Sequence, residues 1–325
     1  MASLVREFRD YSVEVRGRSL LTIQRYTDTV SELETFLHER RKGDTHHKSL
    51  ETVTKTTLLD FLREGRAGTT RPSKSTWNIR LAALRAFYDF LFKTERVDAN
   101  PALRIDRLRT HAKEPVPLTL DEFLALVDAA GTATKAYRWR NVAIIQLFFH
   151  TALRVGEMIS LDVDQVDFEN RVLVNIRTKG EKFLSLPFND LVSEALEHYL
   201  RDRDKLGVSS DERALFLSNR RRRISKRAVQ DLLTTYGKRA GIRRRVAPHL
   251  LRHSAATELD SLGVPIAVIQ DICGHEQITT TRRYTHVRYP RKRDAINALG
   301  KAVNRRRRQL GHRRPHEENQ PLAPE

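Results

Sequence analysis

Apolar side chains in the first hundred residues recur at helical intervals. Ile23, Tyr26, Val30, Leu33 and Leu37 follow steps of three and four, which lays one apolar stripe along a helix. Trp77, Leu81, Leu84, Tyr88 and Leu91 repeat the pattern, and Leu58, Leu59 and Leu62 mark a shorter helix between them. Asn100-Pro101 ends this region, because proline disfavours helix at the preceding residue. From Arg109 to Leu118 the chain is polar and basic, and Pro115 and Pro117 resist regular structure, so this stretch reads as a linker.

A helix restarts at once: Thr119 and Glu122 have the spacing at which each side chain satisfies a free backbone N–H of the other. The apolar stretch Val142–Leu153 is too short to span a bilayer and is interrupted by Gln146 and His150, so it reads as a buried helix. Between Arg171 and Pro187 the period changes to two, in Val172, Val174 and Ile176 and then in Phe183 and Ser185. A β-hairpin is predicted there, with Thr178-Lys179-Gly180-Glu181 at its turn. Helical patterns return at Val192–Leu200, Ala228–Tyr236 and Leu250–Leu262. Ile296, Leu299 and Val303 form a last short stripe within Asp294–Val303. From Asn304 the run Arg305–Arg308, followed by prolines and polar residues, predicts a basic, disordered tail. The expected architecture is mainly α with a small β-hairpin: a helical domain over 1–108, a linker over 109–118, an α+β domain over 119–303 and a tail over 304–325.

Charge changes the picture. The 325-residue chain carries a formal net charge of +18, which favours a polyanionic partner through phosphate pairing and counterion release. Charge alone does not separate DNA from RNA or an anionic membrane. The single cysteine, Cys273, has no partner for an internal disulfide, and the charged Met1–Asp10 segment lacks an apolar signal core. Both point to a cytoplasmic location, with Cys273 more fitting as a buried structural residue than as a catalyst.

Three segments could carry chemistry. In Thr151-Ala152-Leu153-Arg154-Val155-Gly156-Glu157, an arginine and a glutamate share a helical face at the end of the apolar run; a surface ion pair is the plain alternative. In His249-Leu250-Leu251-Arg252-His253, His249 and Arg252 stand three apart just after Pro248, an arrangement that suits a phosphate but equally a solvated face. Gly274-His275 precedes Arg282-Arg283-Tyr284-Thr285-His286, where Tyr284 is a stacking residue, a core residue or a nucleophile stabilised by nearby cations. HExxH, paired CxxC, GxxxxGK[ST] and GxSxG patterns are absent, so no metal, nucleotide or other cofactor is expected. Arginines, histidines, a lysine and a tyrosine with few carboxylates suit an anionic phosphorus transition state stabilised electrostatically.

Taken in order, Ala152–Glu157, the hairpin Thr178-Lys179-Gly180, His249–His253, Gly274-His275 and Tyr284-Thr285-His286 resemble the tyrosine recombinases, above all their Xer branch. The resemblance runs over roughly residues 5 to 300. It implies a SAM-like, core-binding N-terminal domain and a catalytic domain. By position, Arg154 and Arg252 match the arginines that grip the scissile phosphate. Lys179 matches the donor of a proton to the leaving 5′ oxygen, and His249 a histidine assisting proton transfer. His275 matches a histidine bonding the phosphoryl group, and Glu157 a supporting acid. Tyr284 matches the nucleophile that forms a 3′-phosphotyrosyl link, with Tyr289 a less well placed competitor. The implied partners are double-stranded recombination sites, with a homotetramer on paired sites, alone or with a second recombinase, and no membrane. The C-terminal helix is then expected to dock on a neighbouring protomer. Cys273, where the family usually has leucine, the basic tail, and the run Arg220, Arg221, Arg222 and Arg223 depart from the pattern. The arginine run is a candidate DNA-backbone contact, against a merely solvated loop. The alternatives are a phage or mobile-element integrase, a type IB topoisomerase and a non-catalytic DNA-binding regulator.

Overall fold

A computed structural model of the chain describes residues 2–14, 20–40, 49–64, 72–110, 115–178, 182–206, 212–274 and 285–311. They form two compact units, Met1–Lys113 and Glu114–Glu325.

The first unit is helical: α1 (Ala2–Glu14), α2 (Leu20–Arg40), α3 (Lys55–Arg63) and α4 (Lys74–Lys93). The Ser73 hydroxyl accepts from the Thr76 N–H at 3.1 Å and so fixes the start of α4. Ile23, Val30, Leu33 and Leu37 of α2 are buried, as are Trp77, Leu81, Leu84, Tyr88 and Leu91 of α4. Phe8 of α1 packs edge-on to Phe87 with ring centroids 5.2 Å apart. The Tyr88 hydroxyl donates to the Leu50 carbonyl at 3.0 Å, and burial pushes its phenol well above the ordinary range.

The second unit contains α5 (Leu120–Gly131), α6 (Lys135–Thr151), α7 (Val155–Ser160), β1 (Val166–Asp167), β2 (Val172–Arg177), β3 (Phe183–Pro187), α8 (Asp190–Asp204), α9 (Lys226–Arg239), α10 (Pro248–Ser261), α11 (Ile266–Ile272) and α12 (Thr285–Gln309). The expected capping box closes α5: Glu122 N–H donates to Thr119 at 3.2 Å and Thr119 N–H to the Glu122 carboxylate at 3.0 Å. The stretch read as linker is held at its far end. Pro117 carbonyl accepts from Arg244 at 2.6 Å, and Leu118 N–H donates to the Ser254 hydroxyl at 2.7 Å. Among the described residues no helix is long and apolar enough to cross a membrane.

The strands form an antiparallel sheet in the order β1-β2-β3. The hairpin is where expected, but its alternation is not. Leu173 pairs with Leu186 and Ile176 with Leu184, so β2 spends one residue more than β3 over this interval. Asn175 takes up the excess at φ 52°, a left-handed backbone that asparagine tolerates better than β-branched residues do. The bulge reverses the faces, so that Leu173 and Ile176 are fully buried while Val174 is not.

One expectation for the C-terminus is corrected. The chain is still helical past Asn304, up to Gln309. Arg306 meets the Asp121 carboxylate at 2.5 and 2.6 Å, and the buried Arg307 meets Asp128 at 3.3 Å. Acidic groups on α5 thus neutralise a run that looked too charged to fold. Residues 312–325 lie outside the described set. In the single chain, Ala295, Ile296, Leu299 and Val303 are buried in the second unit's core. Within the unit, α12 packs against α5, α6, α8, α10, α11 and β3.

Candidate active site

The site is organised around the end of α6. Ala152 leaves this helix at φ 50°, which turns the chain so that Arg154 can open α7. One turn on, Glu157 folds back. Its carboxylate accepts from the Arg154 backbone N–H at 2.7 Å and from the Arg154 guanidinium at 2.9 Å. Glu157 is buried and Arg154 partly exposed, at 8% and 41% side-chain exposure, so the carboxylate aims the guanidinium without covering it. The sequence left open whether this was a surface ion pair, and the burial of Glu157 makes it an internal support.

Arg252 lies in the second turn of α10, which starts at Pro248 as a helix favours. It is buried and donates to the Ala152 carbonyl at 2.6 Å and to the Cys273 carbonyl. Arg154 donates to the next carbonyl, Gly274, at 2.7 Å. The two guanidiniums therefore converge on consecutive carbonyls at the C-terminal end of α11, where helix carbonyls are unsatisfied and partly negative. Burial lowers the pKa of Arg252 and pushes the Cys273 thiol up. Cys273 acts in the site through its backbone, with its side chain in the core.

Gly274 has φ 56°, and a Cβ there would lie 3.3 Å from a guanidinium nitrogen of Arg154. Sequence patterns noted Gly274-His275 but gave no hint that the Cys273 and Gly274 carbonyls anchor both arginines. Only the path of the backbone shows this.

His249 is exposed in the first turn of α10, one turn before Arg252. Lys179, His275 and Tyr284 lie outside the described residues. Lys179 follows Thr178, whose N–H donates to the Lys182 carbonyl at 2.8 Å and closes the mouth of the β2–β3 hairpin. Tyr284 directly precedes α12, and the competing Tyr289 falls within it.

The arginine run divides. Ser218 N–H donates to the Arg222 carbonyl at 2.7 Å, which makes a tight turn with Arg221 at φ 58°. Arg220, Arg221 and Arg222 are exposed on it. Arg223 instead donates to the Ile159 and Leu161 carbonyls, both at 3.0 Å, and to Asp162 at 2.5 Å. It ties the turn to the end of α7 while staying exposed. Arg140, buried in α6, holds the other side through the Leu217 carbonyl at 2.9 Å and Asn219 at 3.0 Å.

Residues 117–291 match the model of the phage integrase family, and residues 5–95 match that family's N-terminal SAM-like domain. The chain belongs to the phage integrase family, the tyrosine recombinases. It is a DNA strand-transferring enzyme of site-specific recombination. Tyrosine recombinase XerC of Syntrophus aciditrophicus (strain SB) is 30% identical over 294 residues, covering 88% of this recombinase and 94% of that protein. Tyrosine recombinase XerC of Thermodesulfovibrio yellowstonii is 35% identical over 219 residues, covering 66% and 72%. Among solved structures, XerH site-specific recombinase bound to a palindromic difH substrate shares the fold. Its TM-score is 0.65 at 21% identity, with 87% of this recombinase and 81% of that chain covered. A λ integrase dimer bound to a COC′ core site gives 0.62 at 18% identity, covering 86% and 96%.

Proposed function

We propose that this recombinase cuts one DNA strand at a time through Tyr284, at a phosphate held by Arg154 and Arg252. The observation that carries the reading is the pairing of these two guanidiniums on the adjacent carbonyls of Cys273 and Gly274. Two cations fixed this closely have few uses other than a doubly contacted anion. The phenolic oxygen of Tyr284 attacks phosphorus, a 3′-phosphotyrosyl bond forms, and the 5′ oxygen leaves with a proton from Lys179. His249 and His275 assist proton transfer and bond the phosphoryl oxygens. The two arginines stabilise the charge of the five-coordinate state. The bond energy is kept in the protein–DNA link, and attack by the 5′ hydroxyl of another strand releases the tyrosine. Two such rounds pass through a Holliday junction. The reaction uses no metal and no nucleotide.

The partner is a pair of double-stranded recombination sites. Four strands are exchanged, so a homotetramer on paired sites is the assembly that supplies one tyrosine per strand. The similarity to two XerC proteins over most of their length supports a role in resolving chromosome or plasmid dimers in the cytoplasm. Residues 1–108 act as the core DNA-binding domain and 119–303 as the catalytic domain, with Arg220, Arg221 and Arg222 available to the DNA backbone.

A nicked suicide substrate tests the reading. Wild-type protein accumulates a covalent adduct, and Tyr284→Phe binds the same DNA without forming one. An adduct that persists in Tyr284→Phe and disappears in Tyr289→Phe overturns the assignment.

A further inference from the structure

Two helices lead to the two halves of the proposed chemistry. α6 ends three residues before Arg154, and α12 begins at the residue after Tyr284. Asn189 joins them. It stands at the start of α8, where its Oδ1 accepts from the Val192 N–H at 3.3 Å. Its Nδ2 lies 3.0 Å from His150 Nδ1 on α6 and donates to the Ile296 carbonyl of α12 at 3.1 Å. His150 Nε2 lies 3.1 Å from the Gln146 side-chain oxygen. With Nδ2 the donor, His150 is neutral, accepting at Nδ1 and donating from Nε2 to Gln146. Asn189 and His150 are 4% and 1% exposed, and each hydrogen-bonding atom of the bridge has a partner. From the other side, Gly300 admits α12 to this point: a Cβ there would stand 2.6 Å from Asn189 Nδ2.

We propose that Asn189, oriented by His150, is a positioning residue that sets where α12 sits along its own axis, and so where Tyr284 meets the phosphate held by Arg154. This rests on the reading of Tyr284 as nucleophile. The apolar stripe of Ala295, Ile296, Leu299 and Val303 decides which face of α12 is buried. It restrains axial sliding weakly, since dispersion contacts are non-directional. Directional contacts supply that register: Arg306 and Arg307 hold the far end of α12 to Asp121 and Asp128, and the Asn189 bond to the Ile296 carbonyl, opposite a glycine notch, fixes the helix nearer to Tyr284. The requirement is strict, because reacting atoms must come within about 3–3.5 Å and a misplacement of about 1 Å costs on the order of a hundredfold in rate.

Asn189→Ser separates this role from capping. A serine hydroxyl still accepts from the Val192 N–H and caps α8. It lacks the reach and the second donor needed for His150 and Ile296. Three quantities are compared with wild type: the unfolding midpoint, affinity for a single recombination site, and the single-turnover rate of adduct formation at saturating protein. The expected result is near wild-type affinity, a midpoint lowered by the cost of leaving a buried His150 nitrogen unpaired, and, in protein that is still folded, a rate reduced about tenfold or more. Gly300→Ala, whose Cβ would press on the Asn189 amide so that α12 or that side chain must shift, should slow cleavage in the same selective way and serves if Asn189→Ser fails to fold. Wild-type cleavage in either folded variant overturns the proposal. So does a rate that falls only in step with stability and affinity. The nucleophile reading fails separately, through an adduct in Tyr284→Phe.

Discussion

Gly274 meets two requirements at one atom. Its φ of 56° belongs to a region that favours glycine, and the hydrogen where a Cβ would stand faces the Arg154 guanidinium. Its carbonyl holds the same guanidinium. In Gly274→Ala the backbone must shift or the arginine must yield, and either changes the spacing of Arg154 and Arg252. Adduct formation should fall by roughly 10–100-fold, while affinity for a single site, which draws on many phosphate contacts, stays close to wild type. Equal losses in both measurements would show that the variant damages the unit as a whole. Division of labour at this scale follows burial. Arg252, nearly enclosed, is anchored by one N–H on the Ala152 carbonyl and one on the Cys273 carbonyl, two of its five donors, whereas Arg154 stays more accessible and leans on Glu157.

Elements obey their local patterns except where a distant partner or a single odd residue overrides them. Asn175 is the clearest case. A left-handed backbone costs asparagine less than it costs valine, whose branched side chain crowds the neighbouring peptides. Asn175→Val should cost about 1–2 kcal/mol of stability, read as a lower denaturation midpoint of the second unit. An unchanged midpoint would mean that the bulge is not held at this residue. The helical stripes of α2 and α4 and the capping box of α5 were legible because each rests on neighbours within a few turns. The bulge was not, because composition does not say which of two strands carries an extra residue. The final turns of α12 were not, because the charges that neutralise Arg306 and Arg307 sit at Asp121 and Asp128, far away in sequence. Arg154, Glu157 and Arg252 were legible as a set through their order along the chain. The carbonyls of Ala152, Cys273 and Gly274 that assemble them were not, because backbone acceptors leave no mark in the residue letters. The Asn189 bridge had one faint signal, a histidine and a glutamine interrupting the apolar run of α6.

At the scale of the molecule, the two units have separate cores, and a pH-dependent term belongs to the unit whose core contains the titrating group. His150 supplies such a term to the second unit. Gln146 and Asn189 bond its ring nitrogens, and the rings of Phe123 and Phe149 stand edge-on to it. Burial pushes its pKa down to about 3, against about 6.5 for an ordinary histidine in an unfolded chain. Between these values the unfolded state binds a proton that the folded state refuses. The contribution to stability is thus intact above about pH 6.5 and is lost as pH falls toward 3, with a slope of up to about 1.4 kcal/mol per pH unit. Trp77 and Trp139 are the two tryptophans, one in each unit. In a Trp77→Phe background, the fluorescence of Trp139 reports the second unit alone. Urea midpoints followed from pH 7 to pH 4 should decline less steeply once His150→Gln is added, because glutamine keeps polar contacts but has no proton to gain. Parallel declines with and without His150 would mean that the imidazole is protonated in the folded unit, and the neutral form assigned to the Asn189 bridge would then be wrong.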